Sequence, residues 1–325
     1  MPSAEWLYEE GIGENRAILV EDEDIIAAAI ELPGEMRCGS VLAGRLVRIA
    51  IPGRRGIVET DQGEVMVEPL PAALTEGQKV QVEIVREAIA EPGRPKFAKG
   101  RITDADEKEG PSLAQRIGSP RPLRPLGPDL FHEAGWPELL GEAIEGVVDF
   151  AGGQLRMSLT PAMTLFDVDG FLPPPELALA GAEAAALAIR RLDIGGSIGI
   201  DLPTVASRAE RLRIVAALDA VLPPPFERTA VNGFGFLQVV RRRERRSLLE
   251  LLQWDPVGGA ARDLLRMAER GVGACELVAA PAVIARLRAN PDWLETLARR
   301  VGGPVALREE PSFTTWRTHV HVKHS

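Results

Sequence analysis

Two short apolar runs, each closed by an aspartate, constrain this chain more than any other feature. Met163 to Phe166 leads into Asp167, and Ile198 to Ile200 leads into Asp201. Apolar runs of this length read as buried strands. The segment between them is rich in alanine and predicts a helix. A strand, a crossover helix and a second strand make a β-α-β unit, whose two strands run parallel in one sheet. Their carboxyl ends then share the edge where α/β sheets gather ligands. Asp167, Asp169 and Asp201 are therefore expected to converge. Carboxylates in close quarters raise one another's pKa unless a cation sits between them. A hard cation with oxygen ligands, Mg²⁺ or Mn²⁺, is the expected occupant. The bland reading is a turn, because Asp-x-Asp-Gly favours turns. The second aspartate, at a matching strand end, favours the site.

The chain's 325 residues predict two or three domains with ample core. Its net charge of −9 argues against a generally basic nucleic-acid coat, so a polyanion must be met by a local basic patch. Cys38 and Cys275 are the only cysteines. They form no disulfide framework and no Cys-x-x-Cys pair for zinc. No basic-then-apolar leader and no run of about 18 apolar residues occurs. The expectation is a soluble, reducing, cytoplasmic protein with no membrane partner.

In chain order, residues 1–35 read as a hairpin, with Arg16–Val20 and Ile25–Glu31 on either side of an acidic turn, Glu21 to Asp24. Residues 36–103 hold short β-rich runs between Gly and Pro, the pattern of a small OB-type barrel. Val80, Val82 and Ile84 alternate with polar residues, as in a half-buried strand. A basic segment from Arg94 to Arg101, with Lys96, Lys99 and the aromatic Phe97, is expected to leave the barrel. OB barrels bind single strands through cationic grooves and aromatic stacking. Residues 104–128 are a Pro-rich linker, and 129–250 an α/β domain. A helix is expected over Phe131–Gly146, with Trp136 in the core. A strand carries Leu155, Met157 and Leu159, and a further helix spans Ala206–Val221. A Gly-containing turn and strand over Thr229–Val240 run into Arg241 to Arg246, five arginines in six residues. Such a run reads either as a solvated face or as a clamp for phosphates. Residues 251–325 read as a small α/β unit, with helices at Ala260–Arg270, Ala282–Ala289 and Trp293–Val301. Strands are expected at Cys275–Val278, Val305–Arg308 and Thr315–Val322. His319, His321 and His324 lie at its end, with too few further ligands for a metal site.

These motifs, in this order, resemble the ribonuclease E/G family in a short form. Gly152-Gly153 followed by Thr160-Pro161-Ala162 and Asp167-Val168-Asp169 is similar to the family's Gly-Gly, Thr-Glu-Ala and Asp-x-Asn stretch. Gly195-Gly196-Ser197-Ile198-Gly199-Ile200-Asp201 is similar to its Gly-Gly-x-x-x-Ile-Asp. Asn232-Gly233-Phe234-Gly235-Phe236-Leu237-Gln238-Val239-Val240-Arg241-Arg242-Arg243 looks like its Gly-Leu-x-Glu-Met-x-Arg-x-Arg strand, and Lys99-Gly100-Arg101-Ile102-Thr103 like its Lys-Gly-x-x-Leu-Thr. Asp169 stands where the family has Asn, and Gln238 where it has Glu. The segment that senses an RNA 5′-monophosphate and the zinc-link cysteines are not found.

The resemblance implies an α/β (α+β) catalytic domain of RNase E/G type, an inserted OB-fold barrel and a small C-terminal α/β domain. It implies an Mg²⁺-dependent endoribonuclease acting on single-stranded RNA, with no zinc. Asp167 and Asp201 would hold the metal, with Asp169 beside them as a third catalytic residue. Lys99, Arg101, Arg241 and Arg243 would hold the RNA backbone. The alternative is a non-catalytic RNA-binding protein of the same fold. A monomer and a homodimer are both open.

Overall fold

The computed structural model describes residues 4–93 and 95–322, so Arg94 and His324 lie outside it. The chain is mixed α/β and forms two compact units, each built from separate stretches. One unit takes residues 1–33, 117–145 and 248–325; the other takes 34–116 and 146–247. The five blocks read along the sequence are thus regrouped, and the N-terminal strands fold with the C-terminal stretch.

Three antiparallel strands begin the first unit: β1 (Glu5–Glu10), β2 (Asn15–Glu21) and β3 (Asp24–Glu31). The expected hairpin is β2–β3. Its two turn residues, Asp22 and Glu23, both have positive φ, 51° and 73°. That conformation matches the right-handed twist of the flanking strands.

The second unit opens with β4 (Val41–Ile51), β5 (Arg55–Thr60), β6 (Gly63–Val67), β7 (Lys79–Arg86) and β8 (Ala98–Thr103), followed by a short helix, α1 (Leu113–Arg116). The five strands close a barrel in the order β4-β5-β6-β8-β7, compatible with an OB fold. Leu46, Val58, Val65 and Val82 fill it. One expectation is corrected here. The basic segment does not simply leave the barrel, because Ala98–Thr103 is the strand that closes it, parallel to β6 and antiparallel to β7. Ala98 and Gly100 point inward and Arg101 outward, so small residues occupy the crowded interior. A Cβ on Gly100 would lie 2.3 Å from Val82 Cγ1 and 2.9 Å from Val65 Cγ1.

The first unit resumes with β9 (Arg121–Pro122), which pairs with β1, then α2 (Leu130–Glu133) and α3 (Trp136–Glu145). A single helix was expected over this stretch. Gly135, at φ +89°, breaks it in two, because that backbone conformation cannot continue a right-handed helix. Asp129 caps α2 by accepting from the His132 N–H at 3.1 Å.

The second unit then completes a six-stranded sheet. Its strands are β10 (Val147–Phe150), β11 (Gly153–Leu159), β12 (Thr164–Gly170), β13 (Gly196–Asp201), β14 (Glu227–Arg228) and β15 (Phe236–Arg241). They lie in the order β10-β11-β12-β13-β15-β14. Helix α4 (Pro174–Arg191) makes the crossover between β12 and β13, and α5 (Arg208–Val221) follows β13, capped by Ser207. Ala178, Ala182, Ala185 and Ala186 of α4 are buried. At Gly181 the approach to the sheet is closest, since a Cβ there would lie 2.5 Å from Val168 Cγ1.

The rest of the first unit comprises α6 (Leu248–Trp254), α7 (Pro256–Glu269), β16 (Cys275–Ala279), α8 (Pro281–Arg288), α9 (Pro291–Val301), β17 (Val305–Glu309) and β18 (His319–Val322). The strands form a small sheet, β17-β16-β18, against a core of Leu264, Leu277, Ile284 and Leu297. Helix α6 was not expected; it is only seven residues long, shorter than the window over which a helical period can be read. Charge pairs bind the unit's distant stretches. Arg16 Nε donates to Glu9 at 3.0 Å, and its guanidinium lies 4.4 Å from the Phe131 ring centroid. Arg266 reaches both Glu9 and Asp129, and the buried Arg262 pairs with Glu14 at 2.9 Å. Buried charges persist only when paired in this way.

Gly100→Ala is expected to destabilise the protein by about 1–3 kcal/mol, the usual cost of overpacking a filled core. Urea unfolding of the two proteins measures it.

Candidate active site at the carboxylate edge of the mixed sheet

The crossover through α4 makes β12 and β13 parallel neighbours, and their register sets Asp167 directly beside Asp201. Strand side chains alternate between faces. Phe166, Ile198 and Ile200 are buried, so both aspartates project from the other face, where they are exposed. In-register neighbours on adjacent strands have Cβ atoms roughly 5 Å apart. Asp169, two residues along, projects from the same face as Asp167.

The electrostatics follow from that placement. The Asp167 carboxyl is held above the usual carboxylate range, first by partial desolvation, then by the charges of Asp169 and Asp201. Arg156 pulls the other way. It stands opposite Asp167 in the β11–β12 register and is exposed. Phe236 stands opposite Asp201 in the β13–β15 register. Arg156, Asp167, Asp201 and Phe236 therefore form one row across four strands.

Neither end of that row was anticipated from the sequence. For Arg156 a signal was present: it is out of phase with Leu155 and Met157, both buried, and so must face away from them. Phe236 depends on Gly199. A Cβ at Gly199 would lie 2.6 Å from Phe236 Cζ and 2.9 Å from Leu165 Cδ2. The bare backbone of β13 gives the ring its seat.

Asp167 and Asp201 suit a divalent ion by chemistry. Mg²⁺ takes one or two carboxylates and completes its shell with water and phosphate oxygens. Two carboxylates that repel each other match that donor count. Among the described residues, no group of three or more His, Cys, Asp or Glu side chains is gathered to hold a metal. His319 and His321 stack edge to face, with ring centroids 4.3 Å apart, and Arg308 lies 3.3 Å from His321.

The four basic residues marked by the sequence divide between two strands: Lys99 and Arg101 lie two positions apart on the same side of β8, Arg241 ends β15, and Arg243 follows it. Lys99 lies 3.4 Å from Glu68 on the barrel. Arg101, also on the barrel, grips Glu83 at 2.7 and 2.8 Å. Arg241 shares the phase of the buried Leu237 and Val239, so it lies on the helix-covered face, opposite the carboxylates. There it donates to the carbonyls of Ile194 at 2.9 Å and Ile189 at 3.4 Å. Burial lowers its pKa, and Asp193 opposes that shift. Arg243 lies in the segment after β15, near enough to Arg86 for its charge to lower that guanidinium's pKa further after burial has done so. Much of the arginine run is paired within the fold: Arg242 with Glu244, Arg245 with Asp193, and Arg246 with Glu35.

Because the proton on Asp167 is held to higher pH than in an unfolded chain, ionising it costs the fold stability as pH rises through that interval. Asp201→Asn removes one of the repelling charges. It is expected to lower the Asp167 titration midpoint, read by carboxyl-carbon NMR; an unmoved midpoint would show that the two groups do not interact. Among the described residues no helix is long and apolar enough to cross a membrane. No protein-family model matches this chain, and no curated protein aligns significantly with it.

Proposed function

We propose that the chain is a divalent-metal-dependent endoribonuclease that cleaves single-stranded RNA. The observation that carries this reading is the in-register placement of Asp167 against Asp201 on an exposed sheet face. The ordered motifs that resemble the ribonuclease E/G family point the same way. Asp167 and Asp201 would hold Mg²⁺ or Mn²⁺. Such an ion lowers the pKa of a bound water and stabilises charge on a phosphoryl oxygen.

The chain's own residues supply the rest. Arg156, beside Asp167, offers a guanidinium to a phosphate oxygen. Asp169 keeps the local field negative and so favours the cation. Water adds to phosphorus and the bond to the 3′ oxygen breaks, giving the 5′-phosphate and 3′-hydroxyl ends that the resemblance implies. Lys99 and Arg101 would be the barrel's contribution to RNA binding. Their part-exposed pairs with Glu68 and Glu83 are of the weak surface kind, so RNA phosphate can exchange with carboxylate there. Arg241 is left out of the RNA contacts because of the face it occupies. Binding should weaken as salt rises.

The rival reading is a non-catalytic RNA-binding protein of the same fold. It asks only for the basic side chains of the barrel, Lys99 and Arg101, and for no metal.

One experiment separates the two. An unstructured RNA is incubated with the wild type, Asp167→Asn and Asp201→Asn in Mg²⁺ or Mn²⁺. The wild type is expected to cleave, and each variant to lose roughly a hundredfold or more in rate, at about 1.4 kcal/mol per factor of ten. Wild-type rates in Asp201→Asn would refute the nuclease. RNA retained but never cut by the wild type would establish the binder.

A further inference from the structure

Three phenylalanines lie toward the carboxylate edge of the mixed sheet, one just past β12, one in the turn before β15 and one at the start of β15, in a chain with only 5% aromatic residues. Phe236 lies half-buried on the Gly199 backbone, in register with Asp201. Phe171 directly follows the last residue of β12, two positions beyond Asp169. Phe234 sits in the turn before β15. That turn is fixed by Asn232, whose side-chain oxygen accepts from the N–H groups of Phe234 at 2.9 Å and Phe236 at 3.0 Å. Between them Gly235, at φ +92°, fits against the Leu202 carbonyl, the residue after Asp201. Phe171 and Phe234 are the two most exposed large apolar side chains among the described residues, at 87% and 84%.

An exposed aromatic group needs an occupant, and the charges beside it narrow the choice. A protein surface closing over this edge would bury Asp167, Asp169 and Asp201 with one arginine between them, and unpaired buried carboxylates are costly. A polynucleotide brings its own cations and leaves the carboxylates wet. It also brings flat bases, which stack on aromatic rings whatever their identity.

We propose that Phe236, seated on Gly199 beside Asp201, stacks a nucleobase of single-stranded RNA next to the carboxylate pair, with Phe171 and Phe234 extending the stack along the same edge. The base contacts of this protein then lie on the mixed sheet, while the barrel supplies charge. This assignment rests on RNA being the ligand proposed above, and not on its being cleaved.

The test is carried out in the full chain carrying Asp201→Asn, in EDTA, so that binding is read without cutting. Two fluorescein-labelled probes are compared by anisotropy: a 12-residue oligouridylate and the same backbone with abasic sites in place of its central nucleotides. The parent is expected to prefer the intact oligomer. Adding Phe236→Ala should weaken binding of the intact oligomer by roughly five- to 150-fold, the range for loss of one stacked base, and erase the preference. Phe236→Trp should restore it. Phe236→Leu, which keeps apolar volume on Gly199, should behave as Phe236→Ala does; this separates stacking from loss of fold. The proposal is overturned if the parent does not bind the oligouridylate, if Phe236→Ala leaves binding unchanged, or if it weakens both probes equally. If binding behaves as expected but the wild type never cuts RNA in Mg²⁺, the nuclease reading falls and the stacking site stands.

Discussion

The parallel pairing of β12 with β13 is the constraint on which the site depends. Two carboxylates are set side by side by backbone hydrogen bonds, not by any attraction of their own. Left alone they repel, and the Asp167 pKa is raised first by partial desolvation and then by the charges of Asp169 and Asp201. The sheet can hold them there because its other face is buried under α4. That burial rests on small residues: alanines along the helix and Gly181 against Val168. A bulkier helix would ride higher over the sheet and weaken the packing that opposes the repulsion. The local electrostatics of the edge and the composition of a helix on the far side are therefore one problem in packing.

The same sheet shows how glycine makes room for function. Gly199 has no side chain to contribute, and the ring of Phe236 takes the vacated space. Gly235 allows the chain to turn tightly against Leu202 before entering β15. A strand and a turn made partly of glycine look weak by propensity alone. Here each glycine marks a place where something else comes close.

Much of this architecture was legible in the sequence, for reasons that can be named. The crossover was readable because two apolar runs end in aspartate around a helix-forming segment. The β7 alternation of Val80, Val82 and Ile84 gave its face directly, with Val82 and Ile84 buried. The helices and strands after residue 256 carry period and punctuation, and they occur close to where those signals put them, except that the strand read over Thr315–Val322 begins only at His319. The closing barrel strand was obscured because its inward residues, Ala98 and Gly100, carry little apolar signal beside Lys99 and Arg101. Arg241 was read by its charge, whereas its phase with Leu237 and Val239 decides its face. The division into units was hidden for a different reason. It depends on pairs such as Glu14 with Arg262, nearly 250 residues apart in the chain, and no local pattern reports such a pairing.

That interlacing bears on how the protein is made. Arg16 and Glu9 leave the ribosome early, yet Arg266, one of the partners that completes their cluster, is about 250 positions further on. At roughly 5–20 residues per second of synthesis, the wait is on the order of ten seconds or more. Throughout it the first strands carry charged groups meant for an interior that does not yet exist. The unit holding the carboxylate edge ends at residue 247, so its whole chain is synthesised before the other unit can close.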